Sequence, residues 1–366
     1  MRFEKISTDK SGIATLLILV IVIAAIAVAA AGVYVVLNNG NGGSNGNDGN
    51  DGNDGNDGGG DVDTTIQGKI GIGSKFFYGK DANNKILGAP ALLTNYFYCT
   101  VIGEDATCYY ISLPNLYDPL ADPYTIKMNK GTGEIYWADS NGSNKWIMTV
   151  TYSGNSDFDN VSTVSIEVQT GEFDFGWMIA SLKITPAGKT AVSASIDVSK
   201  STIVDPSNYV ASALVGNYIC YDIIIYSKKG TDVVDITSQM KISYVGEGAG
   251  GKSLLLTETT MTGFITGLGD LDFTYMQATV SDSIYDTPMM KMFDMRNYSS
   301  IPGGVSDTLV IKGNSVPVTK YSVTTKGVSI VYCIGSIKDI VYEMSMSMNA
   351  SGTIMNISFK CTDERI

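Results

Sequence analysis

The stretch GEGAGGKS, from Gly246 to Ser253, fits the phosphate-loop pattern GxxxxGK[ST] residue for residue. In a nucleotide-binding protein such a loop cradles phosphates on backbone amides, with the lysine on the terminal phosphates and the hydroxyl on magnesium. Lys252 and Ser253 would fill those roles here. The chemistry requires the loop to open a helix whose N-terminus faces the anion. The next residues, LLLTETTMTGF, are poor helix material, and no apolar strand ending in Asp resembles a Walker B segment. We therefore read the motif as a glycine-rich hairpin loop. An extracellular hydrolase or nucleotide-binding protein ranks third among the functional readings.

Other reactive side chains are scattered. Five cysteines stand at 99, 108, 220, 333 and 361 without a CxxC or metal-like spacing. Cys99 and Cys108 flank the turn GEDA, and Cys333 and Cys361 lie near the end of the chain. Either pair is a disulfide candidate outside the cell, and five buried free thiols are the alternative. Tyr342, Met344, Met346 and Met348 alternate, so they share one strand face. Their soft sulfurs suit copper(I), but core packing is the commoner use of such a stripe. The cluster Met289, Met290, Met292, Met295 reads the same way. Asp270 and Asp272 are paired carboxylates that nothing sets across a cleft. N-glycosylation sequons occur at Asn141, Asn160, Asn297, Asn349 and Asn356.

The chain of 366 residues contains no histidine. This removes Ser-His-Asp and Cys-His machinery in their usual forms, together with every His-based zinc site. No enzyme, metal or cofactor is expected. The formal charge is −12, from 25 basic and 37 acidic side chains. The first 61 residues hold three of the basic and seven of the acidic groups, which leaves a net −8 on the rest. Nucleic acid demands a concentrated basic surface and is excluded as a partner.

These groups are positioned by what precedes them. Gly12 to Leu37 is an uncharged apolar run, long enough at about 1.5 Å per residue to cross the roughly 30 Å hydrocarbon core. It predicts a transmembrane helix over 12–37 in contact with membrane lipid. Arg2, Lys5 and Lys10 precede it and the next basic residue is Lys69, so residues 1–11 are expected in the cytoplasm and the remainder outside. Residues 38–61 repeat Asn, Asp and Gly, a flexible, self-repelling linker. The run is longer than the core of an ordinary cleaved signal, although AVA and AAA at 27–31 offer small-residue cleavage sites. An uncleaved signal anchor is the leading reading. The junction KSGIATLLILVIVIAAIAVAAAGVYVV resembles the N-terminus of archaeal type IV pilins and other class III signal proteins. That resemblance implies cleavage after Gly12, Ile13 as the first mature residue, and assembly into a filament. Leu17 stands where many pilins carry glutamate.

From Asp61 onward short runs of Val, Ile, Thr, Tyr and Phe alternate with Gly, Asn and Asp. They predict a mainly β, antiparallel ectodomain in two units, 62–203 and 204–366, divided near STIVDPSNYVAS. The units look related. LLTNYFYCTVI resembles ALVGNYICYDIII, and EIYWADSNGSNKWIMTVTY resembles IVYEMSMSMNASGTIMNISF. The second unit resembles β-rich ectodomains of uncharacterised archaeal surface proteins, on its VGNYICYDI strand and its closing hairpin. That resemblance implies location rather than activity. The leading expectation is a membrane-anchored extracellular surface protein with a binding, adhesion or envelope-structural role and an unidentified extracellular ligand or surface partner. A pilin-like filament subunit is the alternative.

Overall fold

A computed structural model describes residues 68–365, apart from 81–95, 115–122, 137–141, 152–162, 187, 189–190, 207, 267–268, 288–289, 291–302, 326–327, 336–339 and 351. Alternating β-branched and aromatic residues give strands throughout, all paired antiparallel in one barrel-like sheet system. The first half holds β1 (Lys75–Lys80), β2 (Tyr96–Glu104), β3 (Cys108–Leu113), β4 (Tyr124–Asn129) and β5 (Ile135–Tyr136). It continues with β6 (Lys145–Thr151), β7 (Thr163–Phe173), β8 (Gly176–Pro186) and β9 (Val192–Thr202). The second half begins with β10 (Tyr218–Lys229), β11 (Asp232–Gly248), β12 (Ser253–Ile265) and β13 (Gly269–Val280). It ends with β14 (Val305–Ile311), β15 (Asn314–Thr325), β16 (Val328–Gly335), β17 (Val341–Ala350) and β18 (Thr353–Arg365).

The mainly β expectation holds. The expected transmembrane helix is corrected: the helical elements that lie wholly among the described residues are single 3-10 turns, Ala249–Gly251 and Ile284–Asp286. No helix among the described residues is long and apolar enough to cross a membrane. Residues 12–37 and the linker 38–61 lie outside the described residues, as do Gly12 and Ile13.

Each half curls until its first strand pairs with its last, β1 with β9 and β10 with β18. In the first half the ring is sealed between β5 and β6 by the bridge of Ile135 with Ser143. In the second half no ladder among the described residues joins β13 to β14. The internal similarity does not map onto equivalent places. It sets β2 against β10 and β5–β6 against β17–β18, yet β10 pairs with β18, whereas β2 pairs with β1 and β3.

The halves meet where β2 pairs with the end of β11, Glu104 with Glu247 and Gly103 with Gly248. A small apolar cluster of Cys108, Tyr110, Leu254, Leu256 and Met276 fills this junction. Beside it Lys130 Nζ contacts Glu104 Oε2 at 2.6 Å with both side chains buried, and donates to the Asp105 carbonyl at 2.7 Å. The Lys130 ammonium also lies near the Tyr109 and Tyr209 rings. Tyr209 belongs to the connection between the halves, so this one cation ties three segments together.

Candidate functional site

GEGAGGKS lies at the β11–β12 hairpin. Gly246 and Gly248 belong to β11, Ala249–Gly251 form the 3-10 turn, and Ser253 starts β12. Gly248 N donates to Lys252 O at 2.7 Å, closing the loop as a hairpin turn. A helix N-terminus, which phosphate binding requires, is not formed there. The glycines serve the junction instead. A Cβ on Gly246 would lie 2.0 Å from the Glu104 carbonyl oxygen, and one on Gly248 would lie 2.6 Å from Val280. Only glycine permits that approach.

All five cysteines are free thiols. Cys99 belongs to the core of the first half and Cys108 to the junction cluster, so they face different environments and no disulfide links them. Cys333 pairs with Glu343 of β17, and Glu343 pairs with Lys360 of β18. Cys333 and Cys361 are thus on strands separated by a third, about 10 Å apart against the roughly 7 Å limit for a disulfide. Burial pushes the Cys361 thiol up to about 12. Cys99, Cys108, Cys333 and Cys361 are inert core groups, whereas Cys220 is half-buried outside the core clusters.

Tyr342, Met344 and Met348 are buried in the core of the second half with Met346 packed against them, and Met290 is buried there too. Core packing is therefore their use, and Met289, Met292 and Met295 carry no described side chain. Asp270 and Asp272 are exposed on one face of β13, and pair with Phe264 and Thr262 rather than with another acid. Of the sequons, Asn349 and Asn356 are exposed on neighbouring strands β17 and β18, while Asn141, Asn160 and Asn297 lie outside the described residues. Among the described residues no three Cys, Asp or Glu side chains gather as a metal site.

What sequence reasoning missed is a polar groove of about 430 Å³ on the outer face of the second half. Two cross-strand rungs floor it. One runs Asp363, Cys220, Lys241, Glu258 across β18, β10, β11 and β12. The other runs Asp222, Gln239, Thr260, Thr274 across β10 to β13. At about 4.8 Å between strands, the floor is about 19 Å long from β18 to β13. A bulge sets its end wall: Cys220 pairs with Asp363 but Tyr221 with Cys361, so Thr362 is the extra residue of β18. Such a bulge re-aims the side chains beside it, and Thr362 and Asp363 both line the groove.

Over this wall stands Lys312, in the turn between β14 and β15. Its φ is 47° and that of Gly313 is 83°, the two left-handed residues of a hairpin turn. Asn-Gly is the usual choice there, because a lysine pays a steric penalty in that region. Lys312 Nζ reaches Asp363 Oδ2 at 2.6 Å, and Tyr218 Oη donates to the same oxygen at 3.0 Å. The Lys312 hydrogen bond holds the Asp363 carboxyl below its ordinary 3.8. Lys241 lies 5.1 Å over the Tyr218 ring, and Gln239 Nε2 donates to Asp222 Oδ1 at 3.4 Å. Burial, then the nearby Asp363 charge, raises the Cys220 thiol. The groove thus offers fixed donors and acceptors of both signs and no activated nucleophile among its described residues. Its residues come from separate strands. The one local signal was polar residues at the outward positions of β10, β11 and β12.

Comparison with known protein families, curated proteins and solved structures returned no match.

Proposed function

We propose that this is a non-enzymatic binding protein of the cell surface, held at the membrane through residues 12–37, with the groove over β10–β13 as its contact face. One observation carries the reading: a floor of carboxylates, amide, hydroxyls and lysines on paired strands, with Asp363 held by Lys312 and Tyr218, Asp222 by Gln239, and Lys241 over the Tyr218 ring. Mixed donors and acceptors of this kind suit a hydroxyl-rich ligand such as an envelope glycan, which offers both partners at every unit. Preorganised strands spare the ligand the cost of ordering a loop. The charge asymmetry around residues 12–37 supports an external address.

The test is binding of the full chain to immobilised neutral oligosaccharides, repeated with Lys241→Ala and Glu258→Gln. Both variants should weaken binding about tenfold, the loss of one good charged hydrogen bond. Equal binding by all three proteins, or none, removes the groove from the reading. Protease shaving of intact cells tests the address, and a protected β-rich region would refute it. The KSGI junction favours a second reading, a filament subunit processed after Gly12. Ile13 as the first residue of the mature protein would support it, and Met1 would count against it.

A further inference from the structure

The inner wall of the second half is polar where a packed core should be apolar. Ile236, Met240 and Ile242 of β11 face inward, and Ser238 lies between them on the same face. Likewise Leu255 and Met261 of β12 face inward, and Thr257 and Thr259 lie between them. Tyr221 of β10 completes the set, inward between Ile219 and Ile223. The hydroxyls of Tyr221, Ser238, Thr257 and Thr259 are buried and have no hydrogen-bond partner among the described residues. Register gathers them. Tyr221 and Thr259 both pair with Met240, Ser238 lies two residues along β11, and Thr257 pairs with Ile242 and with the buried Gln277.

Buried polar groups are normally satisfied, so several orphans on one wall point to a guest that satisfies them. The rest of the lining suits such a guest, because Met240, Met261, Met344, Met348 and Met355 form a soft, adaptable surface. An eight-stranded barrel is already wide enough to hold one small ligand, and this half has nine strands among the described residues. The wall from Ile219 to Ile225, Ile236 to Ile242 and Leu255 to Met261 carries no charge at its inward positions, and the inward carboxylate beside it, Glu364, already accepts from Tyr342 Oη, so a neutral guest suits it.

We infer that the second half is a binding barrel for a neutral amphipathic small molecule, its apolar body against the methionines and its hydroxyl or carbonyl oxygen at Thr257 and Thr259, on the stretch of wall that Tyr221 and Ser238 also line. The site is internal and separate from the outer groove. Thr257 and Thr259 donate to the two lone pairs of a ligand carbonyl, or one donates and the other accepts when the ligand is an alcohol.

Photoaffinity labelling of the full chain with a diazirine-bearing long-chain alcohol, mapped by peptide mass spectrometry, tests this. Labelling of residues 218–280 should be saturable and displaced by excess hexadecanol. It should fall about tenfold in Thr257→Val/Thr259→Val, which keeps side-chain shape while removing two donors. Labelling of the apolar stretch 12–37 serves as the internal control and should not change. Labelling confined to 12–37, labelling that hexadecanol does not displace, or equal labelling of both proteins would overturn the inference. A wall that holds water alone gives the first of these results.

Discussion

The two halves build similar rings from similar strands but fill them differently. In the first half large aromatics occupy the interior and their polar ends are tied. Tyr78 Oη donates to the Ile179 carbonyl at 2.6 Å, and Tyr109 Oη accepts from Ile70 N at 3.2 Å. Burial raises the Tyr109 phenol to about 12, so it stays neutral. In the second half the interior combines methionines with hydroxyls that have no partner among the described residues. The seams differ too: Ile135 and Ser143 bridge that of the first half, and no ladder among the described residues crosses that of the second. The first half is built as a finished scaffold, and the second as a container.

The boundary between them should be the most sensitive place. Lys130→Met leaves Glu104 buried without its cation and should cost about 3–5 kcal/mol in urea unfolding, whereas Lys130→Met/Glu104→Leu should recover most of that loss. Equal destabilisation by both variants would mean that packing, not charge, holds the junction. The interiors are compared by two tyrosines. Tyr78→Phe orphans the Ile179 carbonyl and should cost about 1–3 kcal/mol, while Tyr221→Phe removes an unpaired hydroxyl and should be neutral or stabilising by about 1 kcal/mol. Equal losses at both sites would erase the contrast.

Smaller effects read the outer surface of the second half. Asp282 Oδ1 accepts from Ser253 N at 2.8 Å, and that bond holds its carboxyl below the ordinary 3.8. Because the folded value is the lower one, its contribution is complete above the unfolded value and lost as pH falls through the folded value. The urea midpoint of wild type should therefore exceed that of Asp282→Asn at neutral pH, with the gap closing below the ordinary value. The smallest effect is expected at Lys312→Asn, which keeps the left-handed turn but removes the cation. The Asp363 titration, followed by NMR, should then move up toward 3.8. An unmoved titration would mean that Tyr218 alone holds Asp363.

The sequence made the strand content legible because alternation records which face of a strand is buried, as in the Ile-Cys-Tyr-Asp-Ile run of β10. It also made the phosphate-loop decoy legible, because LLLTETTMTGF cannot continue as a helix. The groove was not legible. Its floor depends on register between five strands and on the Thr362 bulge, and no local pattern carries either. The orphan hydroxyls were equally hidden, since a threonine within an apolar strand reads alike whether its oxygen is satisfied or not. The disulfide candidates failed for a related reason: spacing along the chain is silent on which strands intervene.

The ladder between β10 and β18 has a kinetic consequence. It unites residues more than 120 positions apart, twelve rungs from Tyr218 with Arg365 to Lys229 with Thr353. Pairing over such separations is slow, because chain entropy is lost before any contact forms. The second half cannot close until β18 has emerged, and until then β10 and β17 are bare edges open to strangers. The first half closes on β9, with the whole second half still to come. It can therefore offer β2 as a template for the end of β11, so that the order of synthesis makes the scaffold a guide for the container.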